Sequence, residues 1–124
     1  MNLVDSCGWL EYFADGPNAD FFARPLNDID NVIVPSICIL EVFKRVIQQR
    51  GEDAALQAVA LMQQGQVIDL NTSIALSAAR YGHELKLPLA DIVIMATARQ
   101  HNAVIWTQDS DFKDITGVKY KEKR

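Results

Sequence analysis

The sequence predicts an α/β protein, with a three-layer α/β/α arrangement around a central, mainly parallel sheet. Two observations favour this class. Short apolar segments alternate with longer amphipathic ones, and turn or capping residues stand at the boundaries between them. Strands connected through helices imply right-handed crossovers, which make the strands parallel and cover the sheet with helices. The length of 124 residues indicates one domain, residues 1–124, with enough chain to bury a core.

Five short apolar segments are the predicted strands. They cover residues 2–4, 31–35, 66–70, 103–107 and, as a short last strand, 117–120. The longer amphipathic segments are the predicted helices. They cover residues 6–15, 16–26, 36–51, 52–65, 71–86 and 87–102, with a short helical turn at 109–115. Helical segments, in most cases two, separate each strand from the next, as a sheet with helical crossovers requires.

Capping residues mark several helix boundaries. We expect Ser6 and Ser36 to cap the first and third helices, because a hydroxyl oxygen can accept from a free N–H group of the first turn. Asn71 or Thr72 is expected to cap the fifth helix in the same way. Gly51 stands just past the third helix, where glycine commonly ends a helix.

The net charge, the cysteines and the lengths of the apolar segments exclude several classes of protein. The net charge is -4, from 12 basic and 16 acidic residues, which argues against a sequence-independent nucleic-acid coat. Cys7 and Cys38 each lie in an apolar stretch and are expected to be small buried side chains outside any disulfide framework. No segment resembles an export signal or approaches the ~20 apolar residues of a membrane helix. We therefore expect a soluble, cytoplasmic protein with reduced thiols.

Acidic residues occupy positions where open α/β sheets bind ligands, outside the carboxyl ends of the strands. Asp5 follows the first predicted strand, and Asp109 follows the fourth, with Asp111 directly after it. Glu41 and Asp91 lie in apolar stretches of two helices. Taken singly, each acid has a structural explanation: a helix cap, a helix-dipole partner or one half of a surface ion pair.

Taken together, the acids favour a metal site. A buried carboxylate without a partner is costly, and four carboxylates at one end of a sheet would repel one another. Divalent cations relieve this repulsion, and a set of oxygen ligands without Cys or His suits Mg²⁺ or Mn²⁺ rather than zinc. Such ions hold phosphates and lower the pKa of bound water, so the expected chemistry is hydrolysis of a phosphodiester.

Four stretches of the chain resemble PIN-domain ribonucleases, and specifically the VapC-type toxins of bacterial toxin–antitoxin pairs. The stretches are "LVDSCGWLEYF", "VPSICILEVFKRV", "LPLAD" and "TQDSDF", in this order and spacing. The resemblance extends from Leu3 to Phe112, and the combination of motifs carries it rather than any one of them. One departure is Ile92, which follows Asp91 where relatives often carry a small residue; we expect its side chain to point into the core.

The resemblance implies an acidic quartet at the mouth of the sheet. Carried over by motif, its members are Asp5, Glu41, Asp91 and Asp109, with Asp111 as an alternative to Asp109. Asp5, Asp91 and Asp109 would hold the metal, and Glu41 or Asp111 would act in the outer shell or through water. The resemblance further implies Mg²⁺- or Mn²⁺-dependent cleavage of RNA, with structured tRNA or rRNA loops as targets, a cognate antitoxin and a homodimer.

Supporting roles follow from the neighbourhood of these acids. Ser6 and Thr107 stand beside them and would bond to water or phosphate, or serve as a cap and a turn residue. Lys44, Arg45 and Lys113 follow acidic motifs and are candidates for contacts with RNA phosphates.

The aromatic residues between positions 9 and 22 are expected to divide between the core and a surface for a dimer partner or an antitoxin helix.

Two other functions remain open from the sequence. A phosphotransfer receiver domain would use Asp69, at the end of a strand, but no strand is followed by the lysine that it needs. A non-enzymatic adaptor would use the acids only as helix caps and would not depend on a metal.

Overall fold

The computed structural model describes residues 1–124 and confirms the predicted three-layer α/β/α fold. The five strands are β1 (Asn2–Val4), β2 (Val32–Pro35), β3 (Gln66–Ile68), β4 (Val104–Thr107) and β5 (Val118–Tyr120). The six α-helices are α1 (Ser6–Phe13), α2 (Ala19–Leu26), α3 (Ser36–Arg50), α4 (Glu52–Met62), α5 (Thr72–Glu84) and α6 (Leu89–Gln100). Two single 3₁₀ turns, at Ile29–Asn31 and Ser110–Phe112, precede β2 and follow β4.

The sheet is wholly parallel and has the strand order β3-β2-β1-β4-β5. β1 is therefore the central strand, and Leu3 is paired with Ile33 on one side and Ile105 on the other. From β1 the chain adds β2 and then β3 on one side of the sheet. It then crosses to the other side of β1 and adds β4 and β5, so the direction of strand addition reverses beside β1. Ligands of open α/β sheets bind at such a reversal, outside the carboxyl ends of the strands. Here that position is occupied by the residues following β1 and β4.

The core explains most of the aromatic run near the N-terminus. Trp9 and Phe22 are among the largest fully buried side chains, and Phe13 and Phe21 pack against the same core, whereas Tyr12 is exposed at 36%. The prediction that part of this run lies in the core is confirmed, and little of it is left for a partner surface. The run also forms two helices, α1 and α2, separated by a turn.

No helix of the protein combines the length and the apolar character that a membrane span needs.

Two predicted helix caps are wrong: in each case the observed N-cap is the residue before the predicted one. The N-cap of α1 is Asp5, whose Oδ1 accepts from the Ser6 backbone N–H, so Ser6 is the first helical residue. The N-cap of α3 is Pro35, whose side chain makes no capping bond, and Ser36 begins the helix. The cap of α5 is Asn71, as one of the two alternatives proposed. Asp5 is the cap of α1 because Ser6 already has helical geometry, and the Ser6 hydroxyl donates to Glu41 instead.

Gly8 is required by the contact between α1 and the core. A Cβ at this position would lie 2.6 Å from the Phe22 ring and 2.6 Å from Val4 Cγ1, and both of these side chains are fully buried. We expect Gly8→Ala to lower the free energy of unfolding by ~1–3 kcal/mol, because overpacking outweighs the gain in helix propensity. Urea unfolding measures the difference.

Gly82→Ala is the matched control, since it is the same substitution inside α5. Its Cβ would meet Ile92 Cδ1 at 2.9 Å, the end of a flexible side chain, with the next atom at 3.7 Å. We expect a change within about 1 kcal/mol of the wild-type value. Equal losses for the two variants would contradict the assigned contact of Gly8.

Candidate active site

A cleft of about 870 Å³ opens at the carboxyl end of β1, and it is lined by α1, α3, α5 and α6. All four predicted acids line it: Asp5, Glu41, Asp91 and Asp109. They come from four separate segments of the chain. The fold therefore brings the predicted quartet together in one place.

Asp5 is the most deeply placed of the four, with 4% of its surface exposed. Its Oδ1 accepts from the Ser6 N–H at 2.7 Å, and its Oδ2 accepts from the Thr107 hydroxyl at 2.9 Å. The Cys7 thiol lies 3.4 Å from the same Oδ2. Burial raises the pKa of Asp5, the hydrogen bonds from Thr107, Ser6 and Cys7 oppose the rise, and the Glu41 charge adds to it. The carboxyl is thus held in a fixed orientation in a site that disfavours its charge.

Thr107 connects the acid after β1 with the acid after β4. The residue is fully buried at the end of β4. Its Oγ1 donates to Asp5 and accepts from the Asp109 backbone N–H at 3.0 Å. One hydroxyl therefore fixes both the Asp5 side chain and the turn that carries Asp109.

Ser6 has a different role from the predicted cap. Its hydroxyl donates to Glu41 Oε1 at 2.7 Å, across 35 residues of sequence. Such a short bond to a carboxylate is charge-assisted and strong. Glu41 is half-buried rather than enclosed by the core, and Leu40 beside it is 58% exposed on the cleft wall. Ser6 therefore orients Glu41 at the edge of the cleft.

Asp91, Asp109 and Asp111 form the tightest acidic group. One carboxylate oxygen from each lies within 4.8 Å of the others. Asp109 Oδ1 also accepts from the Asp111 N–H at 2.9 Å, which orders the 3₁₀ turn at Ser110–Phe112. Asp109 lines the cleft, whereas Asp111 is exposed. The close spacing keeps both residues, Asp109 and Asp111, as candidate ligands.

The carboxylates of this group repel one another, and a cation would relieve the repulsion. The pKa of Asp91 is raised from 3.8 to about 7, first by burial and then by the negative charges of Asp5, Asp109, Asp111 and Glu41. Three carboxylates at this spacing, with oxygen as the only ligand atom, suit Mg²⁺ or Mn²⁺. The residues present therefore fit the divalent cation that the sequence predicted.

The remaining predicted residues divide between the cleft and the surface. Lys44 and Arg45 line the cleft on α3, but Lys113 is exposed and does not. Ile92 is 9% exposed and packs with α5 residues, as expected from the sequence, although one side of it meets the cleft. Asp69 is exposed after β3 and does not line the cleft, so the residue that a receiver domain would use is isolated.

Cys7 is the site residue that sequence reasoning missed. Cys38 is fully buried as predicted, whereas Cys7 is half-buried, lines the cleft and lies 3.4 Å from both Asp5 Oδ2 and Thr107 Oγ1. Burial, then the Asp5 charge, raises the pKa of the Cys7 thiol to about 12. The thiol therefore stays protonated and acts as a weak donor beside the acids. Its position two residues after Asp5, on the first turn of α1, was the available signal.

Comparison with known proteins agrees with this architecture. A family model described as the PIN domain matches residues 3–118. A toxin–antitoxin complex from Klebsiella pneumoniae superposes with a TM-score of 0.79 at 24% identity, covering 96% of each chain. The VapBC2 structure from Rickettsia felis, bound to a DNA fragment from its promoter, gives 0.77 at 15% identity, covering 98% of this chain and 97% of that chain.

A third structure is the sarcin–ricin loop cleaving toxin VapC20 of Mycobacterium tuberculosis. It gives a TM-score of 0.76 at 16% identity, covering 94% of this chain and 95% of that chain. At these identities the three likenesses concern the fold. No curated protein matches the chain by sequence.

Proposed function

Because the chain belongs to the PIN domain family, we propose that it is a metal-dependent endoribonuclease that hydrolyses RNA phosphodiesters. The observation that carries this proposal is the convergence of Asp5, Glu41, Asp91 and Asp109 in one cleft at the carboxyl end of the central strand. The two rival functions lack such support. Asp69 stands apart from the other acids, and helix capping does not explain Glu41 or the close group around Asp91.

The acids have distinct roles in this proposal. Asp91 and Asp109 would hold a Mg²⁺ or Mn²⁺ ion directly or through water, with Asp5 and Asp111 completing the set. When bound, the ion supplies charge neutralisation, a grip on the scissile phosphate and a more acidic water. The Thr107 hydroxyl keeps Asp5 Oδ2 in its orientation during this chemistry.

Glu41 is assigned to the attacking water. Ser6 occupies Oε1, so Oε2 remains as an acceptor for a water O–H. In the hydrolysis the water oxygen forms a bond to phosphorus and loses a proton, the bond from phosphorus to one ribose oxygen breaks, and that oxygen is protonated. Holding the water in place supplies orientation, which a static carboxylate on a rigid helix can give.

The walls of the cleft would bind the rest of the RNA. Lys44 and Arg45 lie on one rim of the cleft and would contact backbone phosphates of the bound RNA. Unpaired segments, such as tRNA or rRNA loops, are the substrates that such an open cleft admits, since their backbone can bend into it.

We further propose that the chain is the toxin of a toxin–antitoxin pair, is present in the cytoplasm and forms a homodimer. The support is an exposed apolar wall beside the acids: Leu89 is 78% exposed, Leu40 58% and Leu70 48%, and all three line the cleft. A VapB-type antitoxin segment that covered these leucines would also block the acids. Exposed apolar side chains elsewhere, such as Leu56 and Leu76, are available to a second copy of the chain.

Incubation of the pure protein with total RNA tests the enzymatic proposal. We expect cleavage with Mg²⁺ or Mn²⁺ and none after addition of EDTA, because the acids repel one another and the phosphate without a cation. Fragment formation that continues in EDTA would contradict the metal dependence. The ends of the fragments, mapped by sequencing, give the preferred target.

A further inference from the structure

A second hollow lies beside the acidic cleft and is not used by the mechanism above. It has a volume of about 460 Å³, within the ~300–1,000 Å³ range of small-molecule pockets. Cys7 and Asp109 line both the hollow and the main cleft. The other walls are Gln108, Ser110, Tyr120, Glu122 and Lys123. A strand of RNA whose phosphate reached the acids would therefore bring a neighbouring nucleotide to this hollow.

Gln108 presents unpartnered hydrogen-bond donors at the hollow. Its side chain is held by Asn18, whose Nδ2 donates to Gln108 Oε1 at 2.9 Å and to the Glu122 backbone carbonyl at 3.0 Å. A carbonyl can only accept, so the atom of Asn18 that faces Glu122 must be Nδ2, and the atom of Gln108 that faces Asn18 must be Oε1.

This orientation leaves the two N–H donors of Gln108 Nε2 without a partner in the chain, although the residue is only 7% exposed. The Nε2 atom itself is not among the buried side-chain atoms that lack a partner, so it reaches solvent and can donate to an acceptor from outside the chain. Water would satisfy these donors in the free protein, and a ligand with acceptor atoms would satisfy them in a complex.

The other walls select a nucleobase rather than a phosphate. Tyr120 is half-buried and offers an aromatic ring, on which bases of any sequence can stack. Asp109 and Glu122 place negative charge in the hollow, which would repel a phosphate but accept from the amino group of a base. Lys123, at the exposed end of the chain, is the one cation of the hollow.

We propose that this hollow binds the unpaired nucleobase next to the scissile phosphate and so contributes to the sequence preference of cleavage. Gln108 Nε2 donates to the base, and Tyr120 stacks on it or against its edge. The inference depends on the proposed function, since the main cleft must receive the phosphate. Base-edge bonds of this kind are how single-stranded RNA is read, and a donor left unpaired discriminates strongly against the wrong base.

The test measures nucleotide binding without RNA cleavage. The ¹⁵N-labelled full chain is titrated in Mg²⁺ with each of the four ribonucleoside 5′-monophosphates, which contain no internucleotide bond to cleave, and with ribose 5-phosphate as the probe that lacks a base. We expect at least one nucleotide to give saturable shifts at the Gln108 side-chain amide and the Tyr120 backbone amide, and ribose 5-phosphate to give none there.

Gln108→Glu is the informative variant. It retains the Oε1 atom that accepts from Asn18 but removes both donors, so it preserves the internal contact. We expect nucleotide affinity to fall by about tenfold, the size of one lost bond to a base. Gln100→Glu is the matched control, because it makes the same change in charge at the exposed end of α6, outside both the cleft and the hollow, and should leave affinity within twofold.

Three results would overturn the inference: no saturable shift with any nucleotide, equal shifts with ribose 5-phosphate, or equal losses in the two Glu variants. The assay contains no cleavage step. If the protein cleaves RNA but shows no saturable nucleotide binding at the hollow, only the base-site proposal is wrong. If it binds nucleotides at the hollow but does not cleave RNA, only the ribonuclease proposal is wrong.

Discussion

The Asp91→Asn variant is expected to be more stable than the wild-type protein above pH 7 when no metal is present. Asp91 is 8% exposed, and its pKa of about 7 shows that folding disfavours its charged form, through burial and then through the charges of neighbouring acids. Asparagine has nearly the same shape and no charge. The substitution removes up to about 4 kcal/mol of this penalty, the value of a rise of roughly three pKa units. We expect Tm to increase by ~5–10 °C.

The pH dependence follows from the direction of the shift. The folded protein binds the Asp91 proton more tightly than the unfolded chain does, because the pKa rises from 3.8 to about 7 on folding. The free energy of unfolding of the wild-type protein therefore falls as pH rises from about 4 to about 7. Above about pH 7 the Asp91 carboxyl is ionised in both states, and its contribution no longer changes with pH. Below pH 4 the carboxyl is protonated in both states, and the advantage of Asp91→Asn should disappear.

Thermal unfolding in EDTA at pH 4, 6 and 8 measures this difference. Added Mn²⁺ provides the control, since it should raise the Tm of the wild-type protein at pH 8 by binding the folded state and should have a much smaller effect on the variant. An Asp91→Asn protein that is less stable than wild type at pH 8 in EDTA would contradict the proposed strain among the acids.

The Asp5→Asn variant is expected to lose RNA cleavage while keeping its fold. Asn retains a carbonyl oxygen that can accept from the Ser6 N–H as the cap of α1, but it removes the negative charge at the centre of the cleft. We expect the rate of RNA cleavage to fall by ~10²–10³-fold, as for removal of one preorganised electrostatic group. Gel analysis of a time course with total RNA in Mg²⁺ gives the rate.

Asp69→Asn is the matched control for this experiment. Asp69 also follows a strand of the sheet, but it is exposed and lies outside the cleft. We expect this variant to cleave RNA at the wild-type rate. If Asp69→Asn lost activity and Asp5→Asn retained it, the assignment of the site would be wrong.

Much of this architecture can be predicted from the sequence because strong local signals agree with one another. Apolar strand segments such as "NVIVP" and "AVIWT" lie between amphipathic helices, and this alternation determines the class of fold and the end of the sheet that binds ligands. The acids after β1 and β4 could be predicted for the same reason, since the carboxyl ends of parallel strands share one edge. Glu41 and Asp91 were identified because a carboxylate is unusual in an apolar helical stretch.

What the sequence could not supply are the contacts between distant segments. Ser6 was expected to be a cap, because its hydroxyl fits that role locally, but in the fold it meets Glu41 across 35 residues. Cys7 was expected to be an inert core residue, since local hydrophobicity does not show that it faces Asp5 and Thr107. The free N–H donors of Gln108 could not be predicted, because the orientation of its side chain is fixed by Asn18, 90 residues away in the sequence.

In the proposed mechanism the acids of the cleft bind a divalent cation, and RNA cleavage depends on this binding. A titration checks this dependence: metal-free protein receives Mn²⁺ in steps, and bound Mn²⁺, measured by electron paramagnetic resonance, is compared with the initial rate of RNA cleavage. We expect the rate to rise in proportion to the occupied fraction, and Asp91→Asn to bind Mn²⁺ weakly and to cleave slowly throughout. Cleavage at full rate before any Mn²⁺ is bound, or tight binding of Mn²⁺ by Asp91→Asn, would contradict it.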